Sequence, residues 1–269
     1  MAIVETSGLT KRFGDLTAVN DINLSVEDGE VFGLLGPNGA GKTTVIKMLA
    51  TLLPPTSGIA VVSGFDVSRH PTQVRRQIGY VPQILSADGQ LTGYENLLIF
   101  AKLYDVERHG REEKLRKALD VMGIAEAANR LVRTYSGGMI RRLEIAQSMI
   151  HRPRVLFLDE PTIGLDPTAR EAVWAHIARL RAEYGTTILL TTHYMEEADH
   201  LCGRVAIMHL GKIAALGTPS DLKRSISADG NGTNVTLNDV FFHFTKGSLE
   251  SGGSFRDTSR TRKTARRLG

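Results

Sequence analysis

The chain has 269 residues, and its 42% hydrophobic and 23% charged residues exclude disorder throughout and suffice for a hydrophobic core. A single cysteine, Cys202, excludes an internal disulfide and favours a reducing compartment. The first residues lack a signal-peptide pattern, and no run of about 20 apolar residues indicates a membrane helix. We therefore expect a soluble, cytoplasmic polypeptide.

The net charge of +4 is concentrated at the C-terminal end. Residues 251–269 carry six basic side chains and one acidic side chain, a net +5, which leaves −1 for residues 1–250. The Gly/Ser/Thr-rich composition predicts that this tail is disordered, so the charge is not an argument for nucleic-acid binding. Weak attraction of the tail to anionic lipid headgroups stays open.

The predicted elements alternate between strands and helices. Ile22, Leu24 and Val26 alternate with polar residues, as in a half-buried strand. The continuous apolar run Val31–Leu35 predicts a strand buried on both faces, and a helical segment follows at Thr44–Leu49. Three further buried strands are predicted at Val155–Leu158, Thr187–Leu190 and Val205–Met208. With helices such as Ala169–Tyr184 between them, this order predicts an α/β fold with a mostly parallel sheet and an antiparallel part near the N-terminus.

Residues from about 92 to 150 have helical patterns and no strand candidate. We predict an α-helical subdomain here, inserted into the α/β core of a domain of residues 1–225. Residues 226–250 are predicted to form a linker and a short element at Thr236–Thr245, before the basic tail of residues 251–269.

A glycine-rich loop follows the first buried strand and precedes a helix. Its residues match G-x-x-x-x-G-K-[ST] and are Gly36, Pro37, Asn38, Gly39, Ala40, Gly41, Lys42 and Thr43. In such loops backbone N–H groups point at phosphate oxygens, the lysine contacts the β- and γ-phosphates, and the hydroxyl suits Mg²⁺. The strand and helix around the loop favour this interpretation over an ordinary glycine turn.

Polar residues follow the other predicted strands. Asp159 and Glu160 end one strand, where Asp159 could hold Mg²⁺ and Glu160 could polarise a water, although the pair could also be a solvated strand end. His193 ends another strand and could contact a γ-phosphate or be structural. Gln83 could touch both Mg²⁺ and the water. Phe13 could stack on adenine or belong to the core.

The segment Ser136-Gly137-Gly138 predicts a helix N-terminus with uncovered backbone N–H groups, which attracts anions. Because the chain already has a phosphate loop, a second anion site makes sense mainly if it serves the nucleotide of another protomer. The alternative is an ordinary capped helix.

Taken together, these residues resemble the nucleotide-binding subunit of ABC transporters across nearly all of residues 1–225. Seven family features occur in the family's order: the A-loop aromatic Phe13, the Walker A motif Gly36–Thr44, the Q-loop Gln83, the signature Ser136-Gly137-Gly138, the Walker B Asp159 with the catalytic Glu160, the D-loop with Asp166, and the switch His193. The resemblance implies that Thr44 of the Walker A motif and Asp166 also contribute to the nucleotide site. Tyr135 and Met139 in the signature, together with residues 236–242, are similar to daunorubicin-resistance-type exporter ATPases.

The resemblance implies an ATPase that uses ATP and Mg²⁺ and works as a homodimer or heterodimer of cassettes. Its partners would be separate transmembrane permease subunits, with the ATPase peripheral on the cytoplasmic face of the membrane and no specific nucleic acid bound. The implied cargo is a hydrophobic drug, antibiotic or lipid. An importer ATPase of the same family stays an alternative, as does a non-transport ABC ATPase acting on ribosomes or DNA.

Overall fold

A computed structural model describes residues 1–227 and 235–251 of the chain. In this part the strands are β1 Ala2–Phe13, β2 Leu16–Glu27, β3 Val31–Leu35, β4 Ser57–Val62, β5 Phe65–Asp66, β6 Ile78–Val81, β7 Val155–Asp159, β8 Thr187–Thr192, β9 Arg204–His209 and β10 Lys212–Gly217. The helices are α1 Lys42–Leu49, α2 Pro71–Gln77, α3 Gly93–Leu103, α4 Arg111–Val121, α5 Gly137–Met149, α6 Pro167–Tyr184, α7 Met195–Leu201, α8 Pro219–Ile226 and α9 Leu237–Ser251.

The larger sheet has the strand order β10-β9-β3-β8-β7-β6. Every neighbouring pair in it is parallel except β10 with β9. Because the strands from β9 to β6 run in one direction, their carboxyl ends meet at one edge of the sheet. Open α/β sheets bind their ligands at this edge.

Helices and strands cover both faces of this sheet, which explains the continuous apolar runs. In β3, Phe32 and Leu34 point into one hydrophobic cluster, shared with the smaller sheet and α1. Val31 and Leu35 point to the opposite face, into a second cluster shared with α4, α5 and α6. All five residues of β3 are buried, as the sequence predicts.

The smaller sheet is antiparallel, with the order β2-β1-β4-β5. Strands β1 and β2 form a long hairpin that turns between Phe13 and Leu16. The alternation of Ile22, Leu24 and Val26 is that of a half-buried strand, since all three are buried within β2 and their neighbours are more exposed. The predicted fold class, a mostly parallel core with an N-terminal antiparallel part, is confirmed.

Between β6 and β7 the described chain has helices α3, α4 and α5 with two short 3-10 turns, and no named strand. Helix α3 begins at a complete capping box, in which Thr92 accepts from the Glu95 backbone N–H and Glu95 accepts from the Thr92 N–H. Leu97 and Leu115, on α3 and α4, are fully buried within this unit.

The C-terminal element is a helix and begins close to the predicted position. Leu237 and Val240 of α9 are buried in the main cluster, and α9 packs on α7, α8 and β10. The predicted linker lies largely outside the described residues, as does the basic tail after residue 251. No helix in the described ranges is both long enough and apolar enough to cross a membrane.

Candidate nucleotide-binding site

The carboxyl ends of four neighbouring parallel strands bring the predicted site residues together. The glycine loop follows β3, His193 follows β8, Asp159 and Glu160 end β7, and Gln83 follows β6 after one proline. Register places Leu35 opposite Thr192 and Asp159 opposite Thr191. Residues that are far apart in sequence therefore surround one point at the sheet edge.

The glycine loop depends on its glycines for shape. Gly41 has φ 103 and precedes the first residue of α1, Lys42. A Cβ on Gly41 would clash with the carbonyl oxygen of Ala18, and one on Gly36 would clash with that of Met208. The loop is tied to the sheet by the Gly36 N–H, which donates to the Thr192 carbonyl at 3.2 Å. Helix α1 directs its first N–H groups at the loop, as an anion site requires.

The Lys42 side chain is buried at the centre of the site. Its Nζ donates to the carbonyl oxygens of Gly36 at 2.8 Å and Pro37 at 3.1 Å, and it lies 3.2 Å from Glu160 Oε1. Burial lowers the pKa of the Lys42 ammonium, while the charge of Glu160 opposes that shift. The ammonium is thus held at the mouth of the loop by three oxygen atoms.

Thr43 and Asp159 form the predicted metal-binding pair. Thr43 Oγ1 donates to Asp159 Oδ1 at 2.9 Å, and Thr191 Oγ1 donates to the same oxygen at 2.7 Å. Asp159 is 1% exposed, so its carboxylate has a fixed orientation. A hydroxyl and a carboxylate this close are oxygen ligands of the kind that Mg²⁺ prefers, and the pair therefore fits that ion.

Glu160 occupies a strained backbone position next to these groups. Its φ of 49 lies in the left-handed region, which is uncommon for a residue with a side chain. The Glu160 N–H donates to both the carbonyl oxygen of Thr191 at 3.2 Å and its Oγ1 at 2.9 Å. These two bonds hold the conformation that turns the carboxylate back toward Lys42.

Gln83 and His193 both lie next to one oxygen of this carboxylate, Glu160 Oε2. Gln83 Nε2 donates to Glu160 Oε2 at 3.3 Å. His193 Nδ1 lies 3.2 Å from that oxygen, but the angle between them is not that of a hydrogen bond. Glu160 therefore connects the loop, the Q-loop residue and the switch residue in one cluster.

The signature segment forms a helix N-terminus, but it is not part of this cluster. Ser136 is the N-cap of α5, and its Oγ accepts from the Met139 N–H at 3.3 Å. Ser136 and Gly137 are exposed. In residues 1–227 and 235–251, no hydrogen bond or ion pair joins Ser136–Gly138 to the glycine loop. Gly138 lets α5 approach α6, because a Cβ there would lie 2.9 Å from that of Ala169.

Two further predicted residues, Phe13 and Asp166, make no hydrogen bond or ion pair to the glycine loop or to Glu160 in the described ranges. Phe13 is 49% exposed at the tip of the β1–β2 hairpin, with Lys11 Nζ 5.2 Å from its ring centroid. The alternative that Phe13 is a core residue is therefore wrong. Asp166 caps α6, its Oδ1 accepting from the Ala169 N–H at 2.9 Å.

The sequence did not identify the residues that orient the predicted site residues or pack against them. Thr191 orients both Asp159 and the Glu160 backbone, and its position in a buried strand end beside β7 was the available signal. Tyr194 lies against the His193 ring at a centroid distance of 4.2 Å, and the Arg170 guanidinium lies 4.4 Å from the Tyr194 ring. No spacing rule links Arg170 to Tyr194, because they lie on separate helical segments.

A glycine loop between a buried strand and a helix, facing paired carboxylates at the end of a neighbouring parallel strand, defines a P-loop nucleoside triphosphatase. A model of the ABC transporter family matches residues 19–163. A solved structure of an ATP-binding subunit of an ABC transporter is similar to the chain with a TM-score of 0.79 and 28% identity, covering 90% of this chain and 99% of that one.

Curated relatives agree with that match. The sequence is 47% identical over 226 residues to the daunorubicin/doxorubicin resistance ATP-binding protein DrrA of Streptomyces peucetius. The aligned region covers 84% of this chain and 68% of that protein. It is 41% identical over 239 residues to the probable multidrug ABC transporter ATP-binding protein YbhF of Escherichia coli (strain K12), covering 89% of this chain but only 41% of that protein.

The chain therefore belongs to the ABC transporter family. It is an ATPase of that family, so the predicted resemblance and the predicted activity are both confirmed.

Proposed function

We propose that this chain is the ATP-hydrolysing subunit of an exporter, and that it drives a hydrophobic drug, antibiotic or lipid through a separate membrane permease. The names of its relatives, which include daunorubicin/doxorubicin resistance and probable multidrug transport, favour export. They give no support to an importer or to an ATPase of ribosomes or DNA. The cargo class comes from these relatives, because the site described above recognises only a nucleotide.

The observation that carries the mechanism is the separation of the two anion-binding helix ends. The glycine loop and Glu160 form one cluster, whereas Ser136 and Gly137 are exposed and, in the described ranges, make no hydrogen bond or ion pair to that cluster. A second copy of the cassette, bound head to tail, would bring its exposed signature helix to the γ-phosphate of an ATP held by the first. The nucleotide site would then be complete only in a dimer.

Within each protomer the residues have separable roles. Lys42 and the loop N–H groups would bind the β- and γ-phosphates, Thr44 would extend the contact along α1, and Phe13 would stack on the adenine. Asp166, at the start of α6, would lie at the dimer interface. Thr43, Gln83 and Asp159 would hold Mg²⁺, which when bound offsets the negative charge of the phosphates.

The catalytic group in this scheme is the Glu160 carboxylate. It would accept a hydrogen bond from the attacking water and polarise it, while His193 and Gln83 hold that water and the γ-phosphate in line. Gln83 and His193 already contact Glu160, so small shifts of these three side chains would assemble the reacting geometry.

A permease would bind next to the Q-loop. Ile84 is 81% exposed and Leu103 on α3 is 71% exposed, and exposed large apolar side chains often mark partner surfaces. The segment after Gln83 is attached to α3, because the Asp88 N–H donates to Asn96 Oδ1 at 2.9 Å. The permease would therefore contact the helical subdomain of about residues 92–150, within a domain of residues 1–225. The chain itself would be peripheral on the cytoplasmic face of the membrane.

Mixing two inactive variants tests the shared site. Lys42→Ala removes the phosphate contact and Ser136→Ala removes the signature hydroxyl, so each homodimer is defective at both sites. In a mixed dimer both defects fall in one site and the other site is intact. We expect about a quarter of wild-type turnover from an equal mixture at high protein concentration, because half of randomly formed dimers are mixed. A mixture no more active than its components would contradict the shared site.

Export is tested separately, in cells that express the chain with a candidate permease. Efflux of fluorescent doxorubicin should require both chains and should be lost in the Lys42→Ala variant. Efflux that does not change when Lys42 is replaced would contradict a role for this ATPase in export.

A further inference from the structure

Two charged side chains of the signature helix are buried against the loop that carries Gln83. Arg141 and Glu144, on α5, are each 2% exposed. The Arg141 guanidinium donates to the carbonyl oxygen of Pro82 at 2.6 Å and to that of Gln83 at 2.7 Å. Glu144 Oε1 accepts from the backbone N–H groups of Ser86 and Ala87, the second at 3.3 Å.

These contacts hold the backbone of that loop. Within the described ranges, residues 82–87 make no backbone–backbone hydrogen bond, and their backbone groups bond only to Arg141 and Glu144. Strand pairing ends at Val81. The backbone of residues 82–87 is therefore held by α5 and not by the sheet.

The charges make this attachment stiff. Arg141 Nη1 lies 3.0 Å from Glu144 Oε2, so the two groups neutralise each other in a buried position. Release of the loop would leave the Arg141 guanidinium and the Glu144 carboxylate without their backbone partners, and a buried charged group that loses its hydrogen bonds is strongly unfavourable. Hydrogen bonds to charged groups are also about twice as strong as neutral ones.

The N-cap of the same helix is Ser136, five residues before Arg141. A loop fixed to α5 must move with that N-terminus. We propose that Arg141 and Glu144 are positioning residues that join the Gln83 loop and the signature helix into one moving unit. Engagement of Gln83 with the nucleotide of its own protomer then orients Ser136 toward the nucleotide of the partner. This inference rests on the proposed shared site.

A double-mutant cycle tests the connection, with the dimer dissociation constant as its readout. All variants are made in the full chain carrying Glu160→Gln, and dimerisation in Mg·ATP is followed by size-exclusion chromatography over a range of protein concentrations. We expect Gln83→Ala and Arg141→Met each to weaken the dimer by about tenfold, the scale of coupling between residues in one network. The dimer dissociation constant of the double variant should be no higher than that of the single variant with the weaker dimer, because both changes interrupt the same connection.

Arg142 provides the matched control. It is the next residue of α5, but its guanidinium donates to Met122 and Gly123 within the helical segment at 3.1 and 3.2 Å. Arg142→Met removes a partly buried arginine without touching the loop, so its effect should add to that of Gln83→Ala. Binding of a fluorescent ATP analogue to the monomer should change by less than about threefold in both arginine variants.

The cycle separates the possible failures. If the Glu160→Gln parent dimerises but the effects of Gln83→Ala and Arg141→Met on the dimer dissociation constant are additive, the proposed connection is overturned while the proposed function stands. A parent that does not dimerise in Mg·ATP would overturn the proposed function and this inference with it. If Arg141→Met does not fold, Glu144→Gln replaces it. The side-chain amide nitrogen of the new glutamine is a donor, and it must face either the Arg141 guanidinium or the backbone N–H groups of the loop, which are donors as well. One of these two contacts is therefore lost.

Discussion

Lys42 and Glu160 form a buried ion pair, with 3.2 Å between Nζ and Oε1. The loop lysine and the carboxylate that would activate water therefore contact each other directly. Lys42 also donates to two carbonyl oxygens of its own loop. A phosphate that binds to this lysine must compete with the Glu160 carboxylate, which has the same sign of charge as the phosphate.

We expect Glu160→Gln to bind ATP more tightly than the wild type, by several-fold to about tenfold, because the competing charge is removed while the volume is kept. Titration with a fluorescent ATP analogue measures this, at protein concentrations low enough to keep the chain monomeric. Lys42→Met should abolish binding in either background. Equal affinity of the wild type and Glu160→Gln would show that the ion pair does not oppose ATP.

Gly41→Ala should destabilise the chain by more than about 2 kcal/mol, because the new Cβ meets the Ala18 carbonyl in addition to the strain of a positive φ. Gly39 is the matched control: its φ is +85, but a Cβ there has no atom within 4 Å. Gly39→Ala should therefore show only the cost of the left-handed backbone, about 1–2 kcal/mol. Thermal unfolding without nucleotide compares the two. Equal losses would mean that the close approach to Ala18 is unimportant.

Ser136→Ala should affect hydrolysis far more than stability. Loss of the N-cap bond to Met139 destabilises by about 1 kcal/mol, while loss of a donor to the transferring phosphate lowers turnover by roughly 10²-fold. Thr218 caps α8 in the same way, accepting from the Asp221 N–H at 3.0 Å. Thr218→Ala should match the stability loss and keep full ATPase activity. If the two variants lose the same turnover, Ser136 is only a helix cap.

Stability should fall as the pH is lowered from about 7.5 to 5.5, and His151 should account for part of this fall. Burial lowers the pKa of His151, whose ring stacks on Tyr104 at 3.8 Å and whose Nε2 lies 3.0 Å from the Ile78 carbonyl oxygen. Its Nδ1 is buried and has no hydrogen-bond partner, so a proton there is not accommodated.

The folded protein therefore binds fewer protons at His151 than the unfolded chain. The stabilisation is complete above the unfolded pKa of about 6.5 and is lost as the pH falls from there through the lowered pKa. His151→Phe keeps the stack on Tyr104 and should give a flatter dependence of melting temperature on pH. Burial also lowers the pKa of His176 and His209, so some slope should remain. An unchanged slope would exclude His151 as a source.

The central part of the site could be predicted because each of its residues lies in a recognisable local sequence pattern. Lys42 and Thr43 lie in a motif with fixed spacing, and Asp159 and Glu160 end a continuous apolar strand. Once the strands are recognised as parallel, their carboxyl ends must lie at one edge of the sheet. The topology therefore predicts that His193 and Gln83 lie close to Asp159 and Glu160.

The supporting contacts could not be predicted in the same way. Whether Arg141 is a solvated helix residue or a buried anchor depends on which face of α5 meets the Gln83 loop. A charged residue in a helix is usually exposed, and burial is tolerated here because Glu144 one turn later supplies the opposite charge. Such pairs are decided by tertiary packing, and the strained backbone of Glu160 is a further example.

The most direct measurement of the shared site combines two observations on the purified full chain. ATPase activity is measured over a range of wild-type concentrations, and Glu160→Gln is examined by size-exclusion chromatography in Mg·ATP. If Ser136 of one copy completes the site of another, specific activity should rise with wild-type concentration and the variant should elute as a dimer. Activity strictly proportional to protein, with Glu160→Gln monomeric in Mg·ATP, would contradict a site shared between two copies of this chain.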